Sequence, residues 1–422
     1  MYQKTTYENG LRLITKPLDS TRAVTVLVLV GAGSRYETKE LNGISHFLEH
    51  MFFKGAKKYK NTQAVSEAID GVGGEFNAFT GKEYAGYYIK VASSQLELAL
   101  DVLSDMLIHS KFDPAEIEKE RGVILEEYNM YQDTPMYQIG WSFESLLFGD
   151  QPLGWDQIGT TELIKSVTHD QFKKYQAELY TPDNIVIGIC GKVDIPKSKE
   201  LVQKYFNMPK TKKTRAYKAF KKPEKTEKLD VSNKKTEQAH IVVGVPSVSQ
   251  QDPQEWTSKL LAVILGGNMS SRMFINVREA QGLAYYISTS IDTYSDAGIL
   301  STRAGVDTTR TDQAIAAIIN EYKKISETPV SEKELTKAKN YLKGKIVLKL
   351  EDSEEFAHLL CRHELLHGKV MTPDQINKKI DSVTVKDIHT LSKKLFKPAN
   401  FRAAVIGPFP DNKPFLKILD QS

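Results

Sequence analysis

Hydrophobic and polar positions follow two periods along this chain, and each period appears in both halves. Apolar runs of strand length stand at 24–30, at 240–245 and, more briefly, at Leu11-Arg12-Leu13-Ile14. Between them the period lengthens. Through 94–108 and 311–325 apolar residues recur every three or four positions, the spacing of an amphipathic helix. Strands alternating with such helices predict an α+β fold. Each half should be a mostly antiparallel sheet in an α/β sandwich, with helices on one face and the other face free to line a chamber.

The halves are copies of one unit. Ser166-Val167-Thr168 recurs 216 positions later as Ser382-Val383-Thr384, and Leu179-Tyr180 as Leu395-Phe396. Pro182, Asn184 and Gly191 return at the same offset as Pro398, Asn400 and Gly407. Each set reads as a helix, a Pro-x-Asn turn and an apolar strand, at 185–190 and 401–406. Between the copies, 209–235 has few apolar residues and nine basic ones from Lys210 to Lys228, Lys225 among them. The expected division is therefore 1–208, a basic linker at 209–235 read as a solvated hinge, and 236–422.

Composition narrows the class. With 422 residues, 41% hydrophobic and 26% charged, the chain suits a multidomain globular protein. A net charge of +4 is small for this size and argues neither for nor against nucleic acid, which is not among the expected partners, and no eighteen-residue apolar run suggests a membrane span. The start of the sequence lacks an apolar leader, and Cys190 and Cys361 both sit in apolar settings as reduced thiols would. A cytoplasmic location is the expectation.

The chemistry concentrates in His46-Phe47-Leu48-Glu49-His50. Histidines four apart share one helix face and can hold a single metal ion, and Glu49 beside them can take a proton from water. Leu41, Ile44, Phe47, Leu48, Met51 and Phe52 make this helix apolar around much of its circumference. Buried imidazoles and a buried carboxylate need a partner, and a metal satisfies all three. A third ligand is required, an acid or histidine on another element. Asp113-Pro114-Ala115-Glu116 opens a second helix, on which Glu120 and Glu127, two turns apart, share a face.

The pentad together with Glu120-Arg121-Gly122-Val123-Ile124-Leu125-Glu126-Glu127 resembles the inverzincins, the family of pitrilysin, insulysin and the mitochondrial processing peptidase. In that family the third ligand follows the second histidine by about 75 residues, at the end of an E-x6-E pattern. The resemblance implies Glu127 as ligand, with Glu126 the alternative one position away, and Glu120 as the carboxylate that orients a ligand histidine. Gly73-Gly74-Glu75-Phe76-Asn77-Ala78-Phe79-Thr80 resembles the family's cleft strand, which implies that Asn77, Ala78 and Phe79 hold substrate. Arg278 and Tyr285 match its R-x6-Y pattern, two donors suited to a carbonyl gaining negative charge. The match spans the whole chain.

What the resemblance implies is a Zn2+-dependent endopeptidase, one ion per chain, that hydrolyses short or unfolded peptides inside a closed dimeric chamber. Its members of this length pair as subunits, so a homodimer is expected and a heterodimer with a related subunit is the alternative. A catalytically silent subunit of the core-protein type is the rival, although such subunits usually lose a ligand or the base. The second copy has lost them: the positions 216 after His46, Glu49 and His50 are Ala262, Leu265 and Gly266. A literal HExxH at His363-Glu364-Leu365-Leu366-His367 has no glutamate after it in the chain, and the expectation there is an ordinary helix.

Overall fold

A computed structural model describes residues 2–224 and 227–421. Lys225, counted above in the basic linker, lies outside the described residues. The chain forms two compact units, each built on one sheet.

In the first unit six strands, β1 (Gln3–Thr6), β2 (Arg12–Pro17), β3 (Ala23–Val30), β4 (Glu75–Thr80), β5 (Ala85–Ala92) and β6 (Ile185–Gly191), lie in the order β1-β2-β6-β3-β5-β4. Only the β2–β6 pair is parallel. In the second unit β7 (Leu229–Asn233), β8 (Gln238–Pro246), β9 (Ala284–Thr293), β10 (Gly298–Asp307) and β11 (Arg402–Gly407) lie in the order β7-β11-β8-β10-β9, again with one parallel pair, β7–β11. Apart from β1, the two sheets have the same order and the same strand directions.

The duplication extends to single hydrogen bonds. Thr168 and Thr384 each close a capping box at the start of a helix. Asn184 Nδ2 donates to the Leu179 carbonyl at 2.8 Å, and Asn400 Nδ2 to the Leu395 carbonyl at 2.9 Å. The helices expected at 94–108 and 311–325 run over Leu96–His109 and Thr311–Glu327.

The units are not continuous stretches of chain. The first comprises Met1–Asn129, Asp156–Lys218 and Val347–Thr372; the second comprises Met130–Trp155, Ala219–Ile346 and Pro373–Ser422. Each copy therefore contributes one helix to the other's sheet. Helix Ser353–His367 packs on β6 and β3, where Ala357, Leu360 and Cys361 meet Leu27, Leu29, Val186 and Cys190. Helix Pro135–Phe148 packs on β11 and β8, where Ile139 and Phe143 meet Val242, Ala404 and Ile406.

This exchange revises two expectations. The sheet face read as free to line a chamber is, at its central strands, covered by a helix from the other copy. The reason is visible in β3, where Val24, Val26 and Val28 on one face and Leu27 and Leu29 on the other are all fully buried. The 209–235 linker is also shorter and less free than its charge suggested. Residues 229–233 are strand β7. In the first unit Arg215 bonds Glu178 (Nε to Oε2, 2.6 Å) and lies over the Tyr175 ring, while Tyr217 packs under the Arg35 guanidinium. In the second unit the Phe220 amide donates to Asp296 (2.8 Å) and its ring packs on Phe148. Aromatic and arginine side chains among the lysines anchor the segment.

Candidate metal centre

The pentad lies on helix Ile44–Phe52, whose Ile44, Phe47, Leu48, Met51 and Phe52 are fully buried in the first unit. Phe47 packs edge-on against Phe172, and Phe52 against Tyr87. With that side fixed, His46 and His50 emerge together on the remaining face, their rings 4.8 Å apart. The second helix, Pro114–Gln132, buries Ile117, Glu120 and Ile124 and presents Glu127 to the same point.

Glu127 Oε1 lies 3.6 Å from His46 Nε2, and its Oε2 lies 3.4 Å from His50 Nε2. These spacings are wide for hydrogen bonds. They are close to what three donors around one zinc ion need, because ligand atoms about 2.1 Å from a tetrahedral centre stand about 3.4 Å apart. His46, His50 and Glu127 are the only group of metal-binding side chains that converges in this way among the described residues, with ligand atoms all within 4.8 Å of one another. Glu126, the alternative ligand, points to solvent. The residues fit a His2Glu metal site.

Two further carboxylates beside the histidines are in opposite states. Burial pushes the Glu49 carboxyl up from its ordinary value, against the opposing hydrogen bond donated by the Thr80 hydroxyl to Oε2 and the nearby imidazoles. Glu120 is also buried, which by itself raises its pKa; the hydrogen bonds from His50 and Lys54 outweigh burial and hold it below the usual range. Its Oε1 is 2.9 Å from His50 Nδ1, and its Oε2 pairs with Lys54 Nζ. That is where a carboxylate that orients a ligand histidine would stand. For His46, burial disfavours the charged ring, but the Glu127 carboxylate and then Glu49 and Glu37 outweigh it, and the pKa rises.

Asn77, Ala78 and Phe79 lie on β4, the unpaired edge of the first sheet, with Asn77 exposed. The strand ends at Thr80, the residue bonded to Glu49, so the sheet edge leads to the proposed base. The Phe79 ring packs against Tyr84 and His358. Arg278 and Tyr285 belong to the second unit. Arg278 sits in a π-helical turn, Phe274–Glu279, stacked on Phe274, and Tyr285 is the second residue of edge strand β9 and 75% exposed.

The HExxH segment is the ordinary helix it was expected to be. Glu364 is buried and paired with Lys4 (2.6 Å) and Arg12 (3.4 Å). Lys54 and Glu37 were not singled out from the sequence, and Thr80 only as the last residue of the cleft-strand match. Lys54 lies four residues after His50, just past the end of helix Ile44–Phe52, and that spacing was its only signal.

Two family models match the chain. That of the insulinase peptidases, family M16, covers residues 12–153, and that of the M16 inactive domain covers 166–342. An uncharacterized zinc protease of Bacillus subtilis, YmxG, is 36% identical over 97% of this chain and 98% of its own length. The chain belongs to the M16 peptidase family. An uncharacterized zinc protease of Mycobacterium leprae is 34% identical over 97% of the chain and 92% of its own. The M16 fold agrees as well. A protease from Helicobacter pylori superposes with a TM-score of 0.88 at 23% identity, over 97% of this chain and all of the other. An M16 inactive domain from Pseudomonas fluorescens superposes with a TM-score of 0.89 at 17% identity, over 97% and 98%. No helix among the described residues is long and apolar enough to cross a membrane.

Proposed function

We propose that this M16 chain is a zinc-dependent endopeptidase that hydrolyses short or unfolded peptides. The observation that carries the reading is the convergence of His46, His50 and Glu127 beside a buried Glu49. One zinc ion on those three side chains would supply the Lewis acidity that activates water at neutral pH. Glu49, with its raised proton affinity, accepts the proton of the attacking water and delivers it to the departing amine. The Thr80 hydroxyl occupies one Glu49 oxygen and leaves the other for this transfer. Glu120, tied by Lys54, keeps His50 aimed. The edge of β4, through Asn77, Ala78 and Phe79, takes the substrate backbone as an added strand. Arg278 and Tyr285 are assigned as donors to the carbonyl oxygen.

A homodimer whose subunits enclose the substrate belongs to this reading, and a heterodimer with a related chain is its alternative. So does action in the cytoplasm, in keeping with two buried, unpaired cysteines. The test is hydrolysis of a quenched, unstructured peptide of roughly 15 residues, long enough to lie along a sheet edge. Glu49→Gln should bind one zinc per chain and lose about 10²–10⁴-fold in rate. Equal cleavage by wild type and variant would remove Glu49 from the mechanism, and zinc-loaded wild type that cleaves nothing would remove the enzyme reading for the chain alone.

A further inference from the structure

The two histidines of the metal centre are held by different means. His50 has an acceptor for its outer nitrogen in Glu120. The Nδ1 of His46 is buried and bonded to no described residue. The His46 ring therefore depends on the backbone turn that carries it.

That turn is capped from outside the helix. Gly43, the residue preceding it, has φ 108° and no side chain with which to cap. The Glu37 carboxylate takes that place. Its Oε2 accepts from the Gly43 amide at 2.8 Å and from Asn42 Nδ2 at 3.0 Å, and its Oε1 accepts from the Ser45 amide at 2.9 Å. Glu37 is only 5% exposed. On the other side the Ser45 and Tyr175 hydroxyls bond each other at 2.6 Å. A buried carboxylate is costly unless its oxygens are bonded, and here the donors come from Asn42, Gly43 and the amide and hydroxyl of Ser45, at the entry to the helix. Its negative charge also faces the positive end of the helix dipole.

We infer that Glu37 is a positioning residue for the metal centre. It fixes the first helical turn so that His46 Nε2 faces Glu127, the service that Glu120 performs for His50. The inference rests on the zinc-peptidase reading above. Glu37→Gln keeps the shape, but its amide group must confront one of the backbone N–H donors.

The experiment measures zinc affinity by competition with a chromophoric chelator, and the visible spectrum of the cobalt(II)-substituted protein. Glu37→Gln is expected to weaken zinc binding by about tenfold or more, as loss of a partner that orients a ligand does. It should also change the cobalt bands and lower kcat with KM near that of wild type. Wild-type affinity with an unchanged cobalt spectrum would overturn the inference. If Glu37→Gln does not fold, Asn42→Ala, which removes one donor and keeps the carboxylate, takes its place: a smaller loss supports the inference and none overturns it. Wild type that takes up no zinc at all would instead bring down the zinc-peptidase reading on which the inference stands.

Discussion

At the scale of single residues, the decisive contest is between protons and metal for the same side chains. His46 has its pKa raised, because Glu127, Glu49 and Glu37 outweigh the cost of burial. Glu49 is raised by burial itself. A group whose folded pKa lies above its unfolded value contributes stability that is complete below the unfolded value and lost as pH rises through the folded one. For His46 that window opens at about pH 6.5 and extends upward; for Glu49 it opens near pH 4.5. Metal-free protein should accordingly lose thermal stability through His46 as pH rises above about 6.5, and added zinc should restore it. Zinc affinity should fall as pH drops through a point above the ordinary histidine value. Thermal unfolding of chelator-treated protein across this range, with zinc titrations alongside, checks both. An affinity midpoint at or below pH 6.5 would contradict the raised His46. The paired histidines and the glutamate between them were legible as candidates because one helix carries all three at fixed spacing. Glu127 required the family pattern, since an acid on a helix more often faces solvent. Glu37 had no signal, because nothing in the local spacing says that a carboxylate nine residues upstream returns to cap the helix.

At the scale of elements, the exchanged helices determine which sheet positions tolerate change. Gly188 lies on β6 beneath helix Ser353–His367, and a Cβ there would stand 2.5 Å from Cys361 Sγ and 3.4 Å from the Ala357 Cβ. Gly188→Val should destabilise the protein by about 1–3 kcal/mol through overpacking. A denaturant midpoint unchanged from wild type would mean that the helix moves aside freely. The central strands at 24–30, 185–190, 240–245 and 401–406 and the helices at 94–108 and 311–325 were readable from periodicity, and the repeat gave the equivalence of the halves; β7, β9 and β10 were not read. The exchange was not readable, since periodicity reports that a face is buried and is silent on which segment buries it. One hint was present. The apolar run at 24–30 does not alternate as a strand with one open face would, and it reads in retrospect as covered on both sides.

At the scale of the whole molecule, the repeat boundary and the folding boundary differ. A fragment ending at residue 208 lacks Ser353–His367 and leaves Ile14, Leu27, Leu29, Val186 and Cys190 without their cover. Such a fragment should aggregate or bind a hydrophobic dye, and co-expression with 209–422 should yield a soluble complex that binds zinc. A soluble 1–208 fragment with sharp cooperative unfolding and no dye binding would show that the first sheet is self-sufficient.

The reciprocal helices also bear on descent. Ala262, Leu265 and Gly266 stand where the first copy has His46, Glu49 and His50, and a copy without the metal-binding side chains is ordinarily free to diverge or be deleted. Here deletion would strip the roof from the sheet that supports the working histidines. On the proposed reading, selection on hydrolysis reaches a stretch of sequence that holds none of the metal-binding side chains, and ties the inheritance of the two copies together.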